Sequence, residues 1–329
     1  MSDWTWTTAD PEAVTQWAKK WWIGAKKQNF FYETGLIGPD ETNDIIVEFP
    51  ELRQNQGYQI VYGQIRDLTG AGISGDSDME GHEEAPTNYD DAITISQIRN
   101  AIRTAGKLSE KYPNDKAVRE WAKTLLERWK GATIDQAIFT AIGTSCTKFI
   151  YGGDATATTD IEAGDYMTLK LIAKAVAYGD KATPMIVGKS QGGGKQTVCV
   201  MHIDQRFDLK QFDASWAQAQ REAMQAGKDN PIFKKVLGVY EDCALFAHTR
   251  APIVTTWGSG ANLNGATAFF MGAGAGAIAY AQERIWQEKT FDYSNKVGFC
   301  VGAIYGVSKS VFNSADNAVV AIATYRTSN

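Results

Sequence analysis

The chain has 329 residues, of which 44% are hydrophobic and 22% are charged, so it can bury a core of its own. The formal net charge of −5 excludes an overall basic footprint for nucleic acid and leaves only a local basic patch to consider. The N-terminus has no basic start followed by an apolar stretch. The most apolar run, at 266–281, is too short and too glycine-rich to span a bilayer. We therefore expect a soluble protein, made in the cytoplasm, with no membrane partner.

An aromatic segment opens the chain, over residues 1–44. Its sequence predicts one helix from Pro11, with three tryptophans that would pack it onto another surface: Trp17, Trp21 and Trp22. So many aromatic side chains on a segment with little core of its own need a partner surface. Two interpretations stay open: the segment docks on the body of its own chain, or it crosses to a neighbouring chain.

Residues 45–100 are predicted to be strands. The segments DIIVEF and YQIVYGQI are rich in β-forming residues, and DAITISQI alternates apolar and polar positions. Between the second and third segments, residues 67–90 contain several glycines and no core-forming periodicity, which is typical of a functional loop. The sequence thus predicts a two-stranded ribbon with an acidic tip. Because an isolated ribbon is marginal in water, it should lie on another surface.

The tip sequence GDSDMEGHEEA opens like a calcium-binding loop, with acids at alternate positions followed by Gly81. The twelfth position is Thr87 where the loop needs a bidentate glutamate, and the upstream flank is predicted to be a strand. We therefore interpret the tip as a contact surface, which would comprise Leu68, Ile73, Asp76, Asp78, Met79, Glu80, Glu83 and Glu84. The acids would meet cations on a partner. The candidate cations, between which the sequence does not choose, are Arg99, Arg103, Arg119 and Arg128.

A long helix is predicted over residues 115–142, where it would extend about 42 Å. Its apolar stripe at helical spacing includes Val118, Trp121, Ala122, Leu125, Leu126, Trp129, Ile138 and Ile142. The second half is predicted to mix helices at 164–180 and 213–227 with strands at 197–204, 236–248, 296–312 and 317–327. The fold class is therefore α+β.

No motif in the chain predicts catalysis, a metal or a cofactor. The run GAGAGA at 272–277 fits a dinucleotide-binding fingerprint, but close backbone packing explains it better because no βαβ context surrounds it. The four cysteines have no short spacing and are expected to be reduced: Cys146, Cys199, Cys243 and Cys300. The three histidines are far apart in the sequence and predict no zinc site: His82, His202 and His248.

The order of these elements resembles the major capsid proteins of tailed bacteriophages with the HK97-like fold, in particular the N4-type branch. The resemblance is carried by LTGAGISGDSDMEGHEEAPTNYDDAITISQIRNAIRTAGKLSE, WAKTLLERWKGATIDQAIF, NPIFKKVLGVYEDC and FDYSNKVGFCVGAIYGVSKSVFNSADNAVVAIAT. It implies an N-terminal arm at 1–44, an extended loop (E-loop) at 45–100, a peripheral domain with a spine helix at 101–159, an axial domain at 160–285 and C-terminal strands at 286–329 that return to the peripheral domain.

The resemblance also implies a function without catalytic residues. Copies would assemble into pentamers and hexamers of an icosahedral head that encloses double-stranded DNA, with a separate scaffolding protein, a portal and decoration proteins as partners. A basic cluster would face the lumen, or else form an ordinary solvated helix face: Lys19, Lys20, Lys26 and Lys27. Some members of the family crosslink subunits through lysine and asparagine, and the sequence does not assign such a pair here. The alternatives are an encapsulin-type shell and, in a different class, a dinucleotide-binding enzyme.

Overall fold

The computed structural model describes residues 11–53, 57–65, 68, 70, 72–76, 78–85, 87–107, 115–191, 194–216 and 238–327. The helices used below are α1 (Pro11–Gln28), α2 (Phe30–Glu33), α3 (Asp115–Gly143), α4 (Leu169–Lys181) and α5 (Ile203–Phe212). The strands are β1 (Ile37–Gly38), β2 (Ile46–Phe49), β3 (Gln59–Ile65), β4 (Asn88–Thr94), β5 (Ser96–Arg103), β6 (Phe149–Tyr151), β7 (Lys189–Gln191), β8 (Gly194–Met201), β9 (Gly238–Tyr240), β10 (Cys243–Ala247), β11 (Ile253–Trp257), β12 (Leu263–Met271), β13 (Gly276–Phe291), β14 (Lys296–Lys309), β15 (Val311–Phe312), β16 (Ala315–Asp316) and β17 (Val319–Tyr325).

The chain divides into two compact units, each assembled from three separated stretches of sequence. Unit 1 is drawn from residues 1–60, 93–141 and 276–308, and unit 2 from residues 61–92, 142–275 and 309–329. Each unit therefore closes only when distant parts of the chain meet.

Unit 1 is built on a five-stranded sheet in the order β1-β2-β13-β14-β5. On β14, the residues of one face are buried, namely Phe299, Val301, Ala303 and Tyr305. Helix α1 packs against β13. Near its end α1 meets α3 so closely that a Cβ added at Gly131 would lie 2.9 Å from the carbonyl carbon of Gln28. Glycine is therefore required where the two helices touch.

Helix α3 confirms the predicted long helix and corrects its predicted core face. The buried residues follow a row with a spacing of four: Ala122, Leu126, Lys130, Ile134, Ile138 and Ile142. By contrast, the side chains of Trp121 and Leu125 are 59% and 55% exposed. The apolar stripe predicted from the sequence is wider than the face of α3 that is buried within a single chain. Positions 121 and 125 lie about 100° around the helix from the buried row, on the part of the stripe that stays exposed.

Unit 2 is built on an eight-stranded sheet in the order β6-β17-β12-β8-β10-β9, with β11 also paired to β12 and β7 to β8. The last strand of the chain, β17, thus lies between β6 and β12. Helix α4 buries its apolar face, which includes Leu171 and Ile172. A Cβ at Gly179 would lie 3.2 Å from the ring of Phe270, so helix and sheet pack tightly there.

Several predicted elements differ from the observed ones at their ends. The segment DAITISQI is two strands rather than one, because the chain breaks at Ile95, whose N–H donates to the Tyr58 carbonyl. The strand predicted at 197–204 ends at Met201, because His202 caps α5 by accepting a hydrogen bond from the N–H of Asp204. The strand predicted at 236–248 is the hairpin β9–β10. Most of the helix predicted at 213–227 lies outside the described residues.

Candidate assembly surfaces

The two-stranded ribbon, made of β3, β4 and the residues between them, is fixed at its base to unit 2. The Tyr62 hydroxyl donates to the Asp91 carboxylate at 3.0 Å, and the same carboxylate oxygen accepts the Val311 N–H at 3.1 Å. The Tyr62 ring lies edge-on to the Phe312 ring, with centroids 5.9 Å apart. Burial raises the pKa of Tyr62, so its hydroxyl stays a proton donor. The ribbon is therefore clamped rather than free at its root.

Several apolar side chains of the ribbon are exposed. The exposed fractions are 64% for Val61, 69% for Ile65, 66% for Leu68 and 53% for Met79, whereas Ile73 is half-buried. The strand β3 alternates between exposed and half-buried residues along its length, as expected for a ribbon that packs one face against the rest of unit 2. Such a row of apolar side chains in solvent is typical of a surface that a partner covers.

The acidic tip, defined as Asp76, Asp78, Glu80, Glu83 and Glu84, is exposed throughout. The Glu83 carboxylate accepts the Gly81 N–H at 2.8 Å, and the Glu84 carboxylate accepts the Gly70 N–H at 2.6 Å. These hydrogen bonds shape the tip locally. Within the described part of the chain, no three histidine, cysteine, aspartate or glutamate side chains are grouped to hold a metal ion.

The described aromatic residues of the N-terminal segment lie within unit 1. The side chains of Trp21 and Trp22 are buried, and the Trp22 ring meets the Tyr280 ring edge-on at 5.6 Å. The Phe30 N–H donates to both carboxylate oxygens of Asp135, at 3.0 and 3.1 Å. These two tryptophans therefore dock on their own chain, which was the first of the two interpretations. Trp17 lies in α1, and its side chain is outside the described residues.

The basic residues of α1 have different surroundings. Lys19, Lys20 and Lys27 are exposed. The Lys26 ammonium lies 4.0 Å from the Glu48 carboxylate and 4.5 Å from the centre of the Tyr32 ring, so it already interacts with groups of its own chain. Whether this helix face points into a lumen stays a prediction.

The candidate partners of the acidic tip are also not equivalent. Arg119 pairs with Glu288 at 2.6 Å. Arg99, Arg103 and Arg128 are exposed. The structure thus leaves three of the four arginines accessible to a partner.

The GAGAGA run joins two strands, β12 and β13, and opens no helix. Its backbone is enclosed by neighbours: the Gly272 N–H donates to the Ala318 carbonyl and the Ala273 N–H to the Val187 carbonyl, at 2.9 and 2.7 Å. A Cβ at Gly272 would lie 2.4 Å from the Ile186 side chain. The small residues serve close packing, and the dinucleotide-binding alternative is wrong because its phosphate turn needs a helix N-terminus. Among the described helices, none combines the length and apolarity that a membrane crossing requires.

Comparison with known proteins gives the family directly. The family model described as phage capsid protein matches residues 5–327. This chain belongs to the phage capsid protein family. A curated relative, the major capsid protein of Pseudomonas phage KPP25, is 26% identical, and the match covers 92% of this chain and 90% of the relative.

Solved structures show the same fold over the whole capsid protein. The capsid of Ralstonia phage GP4 matches with a TM-score of 0.80 and 27% identity, and 99% of each chain is covered. The capsid of cyanophage Pam1 matches with a TM-score of 0.77 and 18% identity, over 100% of this chain and 97% of the other. The fold is therefore the HK97-like capsid fold, and the sequence-based identification of fold and family is confirmed. The chain is a component of a virion capsid, whereas the N4-type branch stays a prediction.

Two buried lysines of this capsid protein escaped the sequence-based prediction. Lys309 forms a buried ion pair with Asp316 at 2.6 Å and donates to the Thr144 carbonyl at 2.6 Å, which fixes β14 to the end of α3. The Lys130 ammonium is buried without a hydrogen-bond partner among the described atoms and lies 3.9 Å from the centre of the Tyr305 ring. Burial lowers the pKa of Lys130 to about 7. The available signal for Lys130 was its place in the row with a spacing of four.

The ribbon clamp was also missed, although the sequence contained a signal for it. Asp90 ends the predicted loop and Asp91 begins the predicted strand, and strand alternation turns one of two neighbours inward. Asp91 is the inward residue, and its carboxylate meets Tyr62. The capsid protein thus uses an acid of its ribbon as an internal anchor.

Proposed function

We propose that this chain is the major capsid protein of a tailed bacteriophage, whose copies form the pentamers and hexamers of a closed icosahedral shell around double-stranded DNA. The observation that carries the proposal is the match over 99% of both chains to the capsid of Ralstonia phage GP4. The match to a phage capsid family over residues 5–327 supports the same assignment. The role is structural, and the chain acts by assembly rather than by catalysis.

The proposed assembly gives a role to each segment. Residues 1–44 act as the arm, 45–100 as the extended loop, 101–159 and 286–329 as the peripheral domain, and 160–285 as the axial domain. The ribbon lies on a neighbouring subunit, because its outer residues Val61 and Ile65 are 64% and 69% exposed in the single chain. An exposed apolar row repeated in every subunit gives a shell its cohesion, since each copy buries it.

The proposal includes partners that act at stages of head assembly. The subunit is made in the host cytoplasm, a separate scaffolding protein guides its assembly, a portal occupies one vertex, and decoration proteins bind the finished shell. The exposed lysines of α1 face the packaged DNA, since phosphate charge attracts a local basic cluster whatever the net charge of the chain. Reversing Lys19 and Lys27 to glutamate should leave shells intact but lower the amount of DNA they retain.

Electron microscopy of the purified protein tests the proposed function. The protein, expressed with its scaffolding protein, should sediment as closed particles of uniform size that show five-fold and six-fold clusters. The same shells transferred to high salt should release pentamers and hexamers, because salt screens the charge pairs between subunits. A subunit that stays monomeric at high concentration, with the scaffolding protein present, would refute the proposal.

A further inference from the structure

On one face of the sheet in unit 1, two buried glycines of β14 lie beside two arginines of β5. Gly298 and Gly302 of β14 lie opposite Arg103 and Arg99 of β5 in the strand register. An added Cβ at Gly302 would lie 2.9 Å from the Cγ atom of Arg99, so the arginine stem lies across the glycine. Gly298 and Gly302 are buried, beneath the Phe291 ring and the Arg99 stem, whereas Arg99 and Arg103 are themselves exposed.

A third cation completes this face from β13. The Lys289 ammonium lies 5.1 Å from the centre of the Phe291 ring, and the Arg103 guanidinium lies 5.5 Å from the same centre. All three cations belong to exposed residues. Arg99, Arg103 and Lys289, around Gly298 and Gly302, are called the basic face below.

The neighbouring acids form ion pairs with other cations, so they do not neutralise the positive charge of the basic face. Glu288 pairs with Arg119 at 2.6 Å, and Asp292 pairs with Lys296 at 3.8 Å. Glu283 pairs with Arg53 and Arg284. Among the ion pairs formed by described residues, none involves a member of the basic face.

The acidic tip carries the opposite charge. The sequence from Asp76 to Asp90 contains six acids and neither lysine nor arginine. The loop that carries the acidic tip also contains glycines in left-handed backbone conformations, at Gly75 with φ +80° and Gly81 with φ +86°. An acidic loop is complementary in charge to a face that carries two exposed arginines, and guanidinium groups bind carboxylates in a planar, bidentate geometry.

We propose that the basic face receives the acidic tip of a second copy of this chain. The inference rests on the proposed shell function and names the partner surface of the ribbon. It selects Arg99 and Arg103 from the candidate arginines. Arg119 is already paired with Glu288, and the fourth candidate, Arg128, lies on α3 and so outside the basic face. The contact is heterologous, joining two different surfaces, which is the kind of contact that closes rings.

Charge reversal tests the pairing. The double variant Arg99→Glu/Arg103→Glu and the double variant Glu83→Lys/Glu84→Lys should each lose assembled shells, as counted by electron microscopy and sedimentation. Combining all four changes in one chain should restore the shells. Arg128→Glu, an equally exposed arginine elsewhere, is the control and should assemble like the wild type. Wild-type assembly should also weaken as salt rises, because surface charge pairs are screened.

Any one of the following outcomes would overturn the inference. Strand β5 is at the edge of its sheet, and its arginines could serve only to prevent wrong strand pairing. Glutamates would serve that purpose equally well, so Arg99→Glu/Arg103→Glu would then assemble normally. Equal damage from Arg128→Glu, without rescue by the four-fold variant, would show a general charge effect. If the wild-type protein forms no shells at all, the proposed function and this inference both fail. Normal shells from the wild type and both double variants refute the inference alone.

A second measurement keeps the inference testable if a variant does not fold, as judged by circular dichroism. A carbodiimide joins a lysine to a carboxylate only when the two are in contact. In wild-type shells it should link Lys289 to Glu83 or Glu84 and produce covalent multimers on a denaturing gel, with the linked peptides identified by mass spectrometry. Links from Lys289 to other acids only, or links confined to single chains, would contradict the pairing.

Discussion

Replacing Lys130 with methionine should stabilise the subunit, because the substitution removes a buried ammonium group from the core. The lysine is fully buried, and its ammonium has an aromatic ring as its described neighbour in place of a counter-ion. Burial lowers the pKa of Lys130 to about 7 from the ordinary 10.5. A difference of that size corresponds to about 4 to 5 kcal/mol of unfavourable free energy when the group is charged. Methionine keeps an unbranched apolar stem in the same space.

The stabilisation should depend on pH in a definite direction. Because the pKa is lower in the folded chain, the unfolded chain binds more protons between about pH 7 and 10.5, and folding stability rises with pH over that window. The destabilising effect of Lys130 is therefore complete below pH 7 and disappears above about pH 10.5. Lys130→Met should gain about 3 to 4 kcal/mol over the wild type at pH 6, since the ring contact offsets part of the cost. This gain should shrink steadily toward pH 10.

Urea unfolding of the dilute, unassembled subunit, followed by tryptophan fluorescence, measures this difference. Lys170→Met, at an exposed position of α4, is the matched control and should change the free energy of unfolding by less than about 0.5 kcal/mol at every pH. The reasoning is refuted if Lys130→Met is less stable than the wild type at pH 6. It is also refuted if the difference between them is the same at pH 7 and pH 10.

Three other substitutions probe buried or half-buried residues inside unit 1 or inside unit 2. Lys309→Met should cost about 3 to 5 kcal/mol in urea unfolding, because Asp316 would be left buried without its cation, and an unchanged midpoint would contradict the pairing. Gly131→Ala should loosen α1 from α3 and cost about 1 to 3 kcal/mol, since its Cβ would press on Gln28, and faster proteolysis of α1 reports it. Burial lowers the pKa of His248 to about 4, so wild-type stability should fall as pH drops from 6.5 toward 4, whereas His248→Gln should lack this slope.

Local patterns predicted the helices and the ribbon well, because these elements have strong periodicity. The long helix was predicted at 115–142 and is observed as Asp115–Gly143. Its exposed residues Trp121 and Leu125 could not be separated from the buried row, because periodicity shows which residues are apolar and not which of them one chain covers. Tertiary neighbours decide that, and in a shell protein some neighbours are other subunits.

The sequence was least informative where strands are buried on both faces. Strand β12 and the first five residues of β13 lie in a nearly continuous apolar run, which has neither the period of a helix nor that of a half-buried strand. The basic face was equally hidden, since its arginines and its lysine are almost two hundred residues apart in sequence. Only the pairing of β14 with β5 brings Arg103 beside Gly298.

The position of β17 has a consequence for biosynthesis. This strand is synthesised after every other described strand of its sheet, yet it lies inside that sheet, between β6 and β12. Until residue 325 has been synthesised, β6 has no neighbour in that sheet and β12 has an open edge, so unit 2 cannot complete its core during translation. Prematurely terminated chains would expose those edges and be removed by aggregation or degradation. Strand order alone would therefore act as a length check, so that only subunits translated through β17 are available to build a head.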